Sequence, residues 1–526
     1  AQSPASSWGD NTPLTVAQAR AALAAAEAAH PGNTPEVAAA LDDLVGLELE
    51  EQVASQETLT LANRELAVAR ASSGERSKAF VAALSILSEV YVALSRPAQG
   101  RPYAERALAI AQNEFPDSEQ GINAADQLAF VCIALADFPC AERADLQAIA
   151  IERKPGPEHD WDLATTLSNY SSLKERQGDL PAAGAAIEEA LAAAMRSHPD
   201  DAHIGVLENN LGLHLIKLQK FPEAIPHFNR AIEIFRRSYG DDSTMALSTL
   251  KNVAGLYSRT GQFALAWKDF ELAVANHNET VDDQAHGHAE FARSLASGGD
   301  PQRAIAEGLL AARMGREHFV LEARTLPERQ ALAYDRQRPR GLDTALSVLA
   351  RHPDLPAAEI YQEVTRSRAL VADEMGRRQR NLNAANDPGV ARLLQDLDQA
   401  RAALIEAGKE APGQTGNAGR VAEASERMEA IERQLAERSA LLRADERVSA
   451  VELDDLRRAL PTDAALVSYM RFDRRAVDAV DPARTDTPAY MAFVLRPGQQ
   501  RIRVFDLGDA ASIEAAVTRM RATADA

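Results

Sequence analysis

The sequence predicts a mostly α-helical chain in three parts: a solenoid of stacked helix pairs, a helical bridge and a short α/β segment at the C-terminal end. Three observations carry this prediction. Alanine dominates and aromatic residues make up only 5% of the chain, which favours closely packed helices over sheets. Small residues recur with a period of 41 to 42 through the middle of the chain, the mark of a repeat array. After residue 451 the helical pattern gives way to apolar runs bounded by turn residues, as strands require.

Residues 1–13, AQSPASSWGDNTP, read as a flexible polar tail. The tail has neither a charged n-region nor an apolar h-region, so bacterial cytoplasm and export after signal-peptide removal both stay open. The solenoid is expected over 14–320. Its clearest units are DQLAFVCIALADFPCAERADLQAIAI, SNYSSLKERQGDLPAAGAAIEEALAA, NNLGLHLIKLQKFPEAIPHFNRAIEI and KNVAGLYSRTGQFALAWKDFELAVAN. Ala129, Ser171, Gly212 and Ala254 recur in the first helix of each unit. Ala141, Ala183, Ala224 and Ala266, then Ala148, Ala190, Ala231 and Ala273, recur in the second. The frame extends upstream through Ser88, Gly100 and Ala107, and downstream to Ala292, Ala304 and Ala311. Small residues at fixed places let neighbouring helices approach closely. Pro139, Pro181 and Pro222 stand at the start of second helices, where a missing N–H does no harm. One helix pair cannot bury its own apolar face, so the pairs stack.

This ladder resembles the tetratricopeptide repeat, in the longer form of about 42 residues found in kinesin light chains. The resemblance implies a right-handed α-solenoid that binds a protein or peptide. Gln127, Asn169, Asn210 and Asn252 precede the small residues of the first helices by two positions, and Arg176, Lys217 and Arg259 follow the three Asn by seven. Positions i and i+7 share a helix face, so amides and cations should form two parallel rows. In related repeats this face is concave and Asn holds the backbone of an extended peptide. The amides would grip main-chain groups, and the cations would favour an acidic segment, a terminal carboxylate or an internal segment of the same protein.

Residues 321–450 read as a helical bridge. Two or three helices, interrupted at Pro353 and Pro356, lead to an antiparallel hairpin over about 388–443. In that hairpin Leu393, Leu394, Leu397, Ala400 and Leu404 should face Met428, Ile431, Leu435 and Leu442, across the turn APGQTGN.

Residues 451–526 change character. VELDDLRRAL is a short helix, followed by strands near 465–472, YMAFVLR and RIRVFDLG, then the helix DAASIEAAVTRMR. Ile502 and Val504 alternate with Arg501 and Arg503, as in a half-buried strand. Three strands and one helix leave a sheet face and an edge uncovered. LPTDAALVSYMRF, YMAFVLRPG and RVFDLGDAASIEAAV, with EIYQEVTRSRALVADEM upstream, resemble the beginning of a CHAT domain, a caspase-like module. That resemblance implies a parent cysteine endopeptidase whose His and Cys belong to the C-terminal remainder of the domain, beyond Ala526. The chain would then be the regulatory, substrate-recruiting part; the alternative is a non-catalytic adaptor.

No catalytic constellation, metal site or cofactor motif is read within the chain. The net charge of −20 argues against nucleic acid, which is held by Lys and Arg. No apolar run reaches membrane-spanning length. Cys132 and Cys140 form no CxxC pair, zinc spacing or disulfide framework, and are expected to be packed solenoid residues. His286 and His288 diverge on a helix, predicting surface positions, and Asp454 and Asp455 read as ordinary helix-face acids. GQTGNAG follows no strand and is no phosphate loop.

Overall fold

The computed structural model describes residues 15–50, 55–94, 96–116, 118–153, 159–276, 279–368, 370–384, 387–408, 417–441, 452–476 and 486–524. The expected tail 1–13, Leu442, most of the turn APGQTGN and the centre of the loop after Phe472 lie outside them. The chain divides into two units at Gly240 and Asp241.

The first unit is helical: α1 (Val16–Ala29), α2 (Pro35–Glu50), α3 (Gln56–Ser73), α4 (Lys78–Ala93), α5 (Pro97–Glu114), α6 (Glu119–Ala134), α7 (Phe138–Glu152), α8 (His159–Gln177), α9 (Leu180–Ser197), α10 (His203–Lys217) and α11 (Phe221–Tyr239). Successive helices pack as antiparallel pairs, and the small-residue columns mark the seams. Ala129, Ala141, Ala148, Ala183, Ala190, Ala224 and Ala231 are all buried. Buried Ser171 donates to the carbonyl of Ala183 across its hairpin at 2.9 Å. At Gly212 an added Cβ would fall 2.7 Å from the ring of Phe228, so only glycine fits between these two helices.

One turn design recurs in both units. One or two positions after the first helix of five successive pairs, beginning with α6, the backbone is left-handed, at Ala136 (φ 56°), Gly178 (81°), Gln219 (60°), Gly261 (75°) and Gly299 (88°). The next N–H bonds back five residues: Asp137 to Cys132 O at 2.8 Å, Asp179 to Lys174 O at 2.9 Å and Lys220 to Leu215 O at 2.9 Å. This satisfies carbonyls that the helix end would otherwise leave unpaired. Asp137 and Asp179 then cap the second helices through the N–H of Cys140 and Ala182. Pro139, Pro181 and Pro222 occupy the first turns of α7, α9 and α11.

This turn also corrects the reading of the cysteines. Cys132 near the end of α6 and Cys140 at the start of α7 form a disulfide, with Cα atoms 5.8 Å apart. The tight hairpin turn brings residues eight apart within disulfide reach, which residue spacing alone does not reveal.

The second unit continues with α12 (Thr244–Arg259), α13 (Phe263–Val274), α14 (Val281–Gly298), α15 (Pro301–Glu322), α16 (Glu328–Gln337), α17 (Gly341–Arg351), α18 (Ala358–Arg366), α19 (Leu370–Ala384), α20 (Pro388–Gly408), α21 (Asn417–Leu441) and α22 (Leu453–Ala459). Four helices, α16 to α19, precede the hairpin where two or three were expected. The extra break falls at Pro339, which holds Arg338 in an extended conformation (φ −54°, ψ 145°). Gly308 on α15 and Gly341 on α17 meet backbone to backbone; a Cβ on Gly341 would lie 2.3 Å from the Gly308 carbonyl oxygen. Helices α20 and α21 bury Val390, Leu397, Ala400, Ile431 and Leu435 against each other and against Leu382, with Leu393, Leu394 and Met428 at the margin. The hairpin is tied to α16 by Glu432, which accepts from the Glu328 N–H at 3.0 Å, and by Glu429, which accepts from Gln330 at 3.0 Å.

Strands β1 (Leu466–Arg474), β2 (Thr487–Leu495) and β3 (Arg503–Asp509) form an antiparallel sheet in the order β1-β2-β3, followed by α23 (Ala510–Ala524). The inner face buries Phe472, Ala489, Met491, Phe493, Leu495 and Ile502 against Leu346, Ile360, Tyr361 and Val364. The Tyr361 hydroxyl meets the Ser468 hydroxyl at 2.8 Å. A bulge between Tyr490 and Met491 places an extra residue in β3, and Gly508 supplies the positive φ (87°) that the bulge needs. The outer face is partly covered: Val467, Tyr469, Phe505 and Leu507 are exposed, whereas Ala492 between Tyr469 and Phe505 is buried and Glu514 of α23 bonds Arg471 and Tyr490.

Candidate peptide-binding face

The residues expected to bind a peptide divide between the units. Gln127 (α6), Asn169 and Arg176 (α8), and Asn210 and Lys217 (α10) belong to the first, whereas Asn252 and Arg259 lie on α12 in the second. On α8 and α10 the amide and the cation stand seven residues apart, about 10 Å along the axis. Side chains bridge consecutive first helices. Asn210 donates to the Ser168 hydroxyl at 3.4 Å, joining α10 to α8, and Thr166 reaches the Asp126 carboxylate at 3.4 Å, joining α8 to α6. Asn169 and Arg176 are exposed, and Arg259 is exposed on α12. Gln127 is half-buried, with its Nε2 donor enclosed and without a partner. Lys217 is engaged: Glu175 of the preceding first helix accepts from it and from His214 Nδ1, the latter at 3.0 Å. The basic row is therefore partly neutralised.

A second feature of this face was not anticipated from the sequence. Asp126 (α6), Asp145 and Glu152 (α7) and Asp162 (α8) gather around Thr166, whose hydroxyl donates to Glu152 Oε1 at 2.8 Å. Asp145 is 1% and Glu152 2% exposed, while Asp126 and Asp162 are half-buried at the rim. Burial first, then the charge of neighbouring carboxylates, pushes Asp126 and Asp145 up to about 7 and Glu152 up to about 8; the Thr166 hydrogen bond opposes the rise at Asp126 and Glu152. The signal was present in the chain: Asp145 and Glu152 occupy the stripe of α7 otherwise built from Ala141, Ala144, Ala148 and Ile149. Two acids on a buried apolar stripe call for partners.

The second unit offers a cleft of about 280 Å³ between α15, α18 and α22, lined by Leu309, Arg313, Glu359 and Arg366 among others. Much of its charge is already paired within the protein, Arg366 with Glu452 and Glu363 with Arg316. His288, expected at the surface, is partly buried and bonds Glu307 at 2.6 Å, because α14 turns that side chain toward α15; His286 remains exposed. Among the described residues no group of three His, Cys, Asp or Glu could hold a metal ion, and no helix is long and apolar enough to cross a membrane.

Comparison with known proteins agrees on the repeat. The tetratricopeptide repeat family matches residues 203–279. Among solved structures, BtubC (BKLC) from P. vanneervenii is 22% identical over 41% of this chain and 90% of its own, with a TM-score of 0.38. The apo form of RapI is 16% identical over 53% of this chain and 97% of its own, at a TM-score of 0.40. Pseudomonas aeruginosa pilF is 19% identical over 44% and 91%, at 0.34. No curated protein matches the chain. With the match over 203–279, the paired helices and their left-handed turns show that this chain carries tetratricopeptide repeats in a helical solenoid.

Proposed function

We propose that the first unit is a scaffold that captures an extended protein segment along the first helices of its repeats. The observation that carries this reading is the row Gln127, Asn169 and Asn210, recurring at the same position of α6, α8 and α10. Its members include an exposed amide and an enclosed donor that lacks a partner. Amides at such intervals suit main-chain groups, which recur along any extended segment. Asn252 and Arg259 are the equivalent residues on α12 in the second unit. The test is selection of random dodecamer peptides on the protein, followed by Kd measurement for an N169A/N210A variant. Two lost amide contacts at about 0.5–1.5 kcal/mol each predict roughly tenfold weaker binding with an unchanged urea midpoint. Failure to enrich any peptide, or an unchanged Kd, rejects the assignment.

A second proposal concerns catalysis. The segments similar to a CHAT domain fold as a sheet whose inner face is covered and whose outer face exposes Tyr469 (62%) and Phe505 (49%). An antiparallel sheet can leave one face in water, but that face is then polar; large apolar side chains exposed together on it mark a contact surface. This supports the reading that residues 452–524 belong to a larger caspase-like domain, and that the solenoid recruits substrate for a cysteine endopeptidase whose dyad lies in the remainder of that domain. Cys132 and Cys140 supply no thiol, being joined to each other. Incubating the parent polypeptide with a captured protein, with and without iodoacetamide, tests the idea. Capture without thiol-dependent cleavage leaves the non-catalytic adaptor.

A further inference from the structure

We propose that the cleft between α15, α18 and α22 is a binding site for a free aliphatic α-amino acid, with Arg313 receiving its carboxylate and Glu359 its ammonium group. The site belongs to the second unit and is independent of the peptide-binding face of the first, so either reading can fail without the other.

The cleft has an apolar floor and two charges left over. Leu309, Ala358 and Leu453, one from each helix, line it, and Leu309 is buried. Most of the polar wall is committed within the protein. Glu363 accepts from Arg316 at 2.8 Å and from the Ser367 hydroxyl at 3.0 Å. Gln362 Oε1 accepts from the Leu453 N–H at 2.7 Å, and Arg366 is paired with Glu452. Arg313 and Glu359 are the exceptions. Both are exposed, both line the cleft, and neither has a hydrogen bond or an ion pair among the described residues. Each stands about one helical turn from the Arg316–Glu363 pair, Arg313 on α15 and Glu359 on α18, and still the two do not pair with each other. Opposite charges that border one space without meeting are completed by a ligand that bridges them.

The two charges and the floor select that ligand. With a volume of about 280 Å³ the cleft falls at the small end of ligand sites, which run from about 300 Å³ upward, so it suits a molecule of amino-acid size rather than a peptide. A guanidinium holds a carboxylate through two parallel N–H bonds, and a carboxylate accepts charge-assisted bonds from an ammonium group. A dicarboxylate would be repelled by Glu359 and a diamine by Arg313, whereas a zwitterion satisfies both and brings no net charge into the cleft. An aliphatic side chain then covers Leu309, Ala358 and Leu453 and adds apolar burial. Leu453 and Leu456 of α22 also pack against the core beneath the sheet. A ligand held by α15 and α18 and lying on Leu453 therefore fastens α22 to both helices.

The probe is L-leucine, titrated into the full chain by calorimetry. Its comparison compounds are N-acetyl-L-leucine, which lacks the ammonium charge, L-leucinamide, which lacks the carboxylate, and glycine, which lacks the side chain. Leucine should bind roughly tenfold more tightly than each of the three, because each has lost one contact. R313Q should lower leucine to the affinity of leucinamide, and E359Q should lower it to that of N-acetyl-L-leucine, so each charge is assigned separately. Both residues are exposed and unpaired among the described residues, so the urea midpoint of either variant without ligand should match the parent. That control separates lost binding from lost fold. No binding of leucine at millimolar concentration, equal binding of leucine and any of the three analogues, or leucine binding that survives unchanged in R313Q and E359Q overturns the proposal. A lowered urea midpoint in either variant overturns it as well, since the residue would then be engaged within the fold.

Discussion

Replacing Glu65 by Gln should change how the stability of the first unit depends on pH. Glu65 on α3 is 2% exposed and faces Asp42 on α2, to which its protonated carboxyl donates a hydrogen bond. Burial above all, then the charge of Asp42, pushes Glu65 from 4.5 up to about 9; burial also raises Asp42. Between those two values the folded chain holds a proton on Glu65 that the unfolded chain has released. Folding therefore takes up a proton, and stability falls as pH rises, by about 1.4 kcal/mol for each pH unit. From pH 6 to pH 8 this one group costs the parent chain about 2.7 kcal/mol. Glutamine fills the same volume, can donate to Asp42 and does not titrate, so E65Q should lack that part of the slope. Urea unfolding at pH 6, 7 and 8, followed by far-ultraviolet circular dichroism, measures it. The loss from pH 6 to pH 8 should be about 2.7 kcal/mol smaller in E65Q than in the parent. Asp126, Asp145 and Glu152 contribute in the same direction and remain in both proteins, so only the difference between the two counts. Parallel pH profiles would refute the reasoning and mean that Glu65 is ionised in the folded chain.

Two further substitutions probe the second unit. G341A places a methyl 2.3 Å from the Gly308 carbonyl oxygen and 2.7 Å from Ala311 Cβ. Backbone cannot rotate away, so α15 and α17 must separate, and a loss of about 1–3 kcal/mol in denaturant unfolding is expected. An unchanged midpoint would show that the two helices are not so close. Y361F removes the hydroxyl that meets Ser468 and leaves that buried group unsatisfied, a loss of about 1–2 kcal/mol. A change below about 0.5 kcal/mol would mean that Ser468 finds another partner.

What could be read from the chain alone is what repeats and what is local. The small residues at Ala141, Ala183 and Ala224 declare helix seams because a seam recurs in every unit and tolerates nothing larger. The helix stops before Asp137 and Asp179 depend on a few consecutive residues, whose hydrogen bonds close within one turn. The strand alternation around Ile502 and Val504 is local for the same reason: side chains on a strand repeat every two residues. Charge partnerships across helices could not be read this way. Lys217 looked available until Glu175, on another helix, turned out to hold it. Asp145 and Glu152 lie on an apolar stripe of α7, but their neighbours Asp126 and Thr166 come from the flanking helices α6 and α8, so the cluster went unread. The disulfide between Cys132 and Cys140 likewise needed the actual closure of the hairpin. Helical periodicity states which face of a helix a residue occupies. Which residue it meets depends on how adjacent helices rotate and slide against each other, and only tertiary packing decides that.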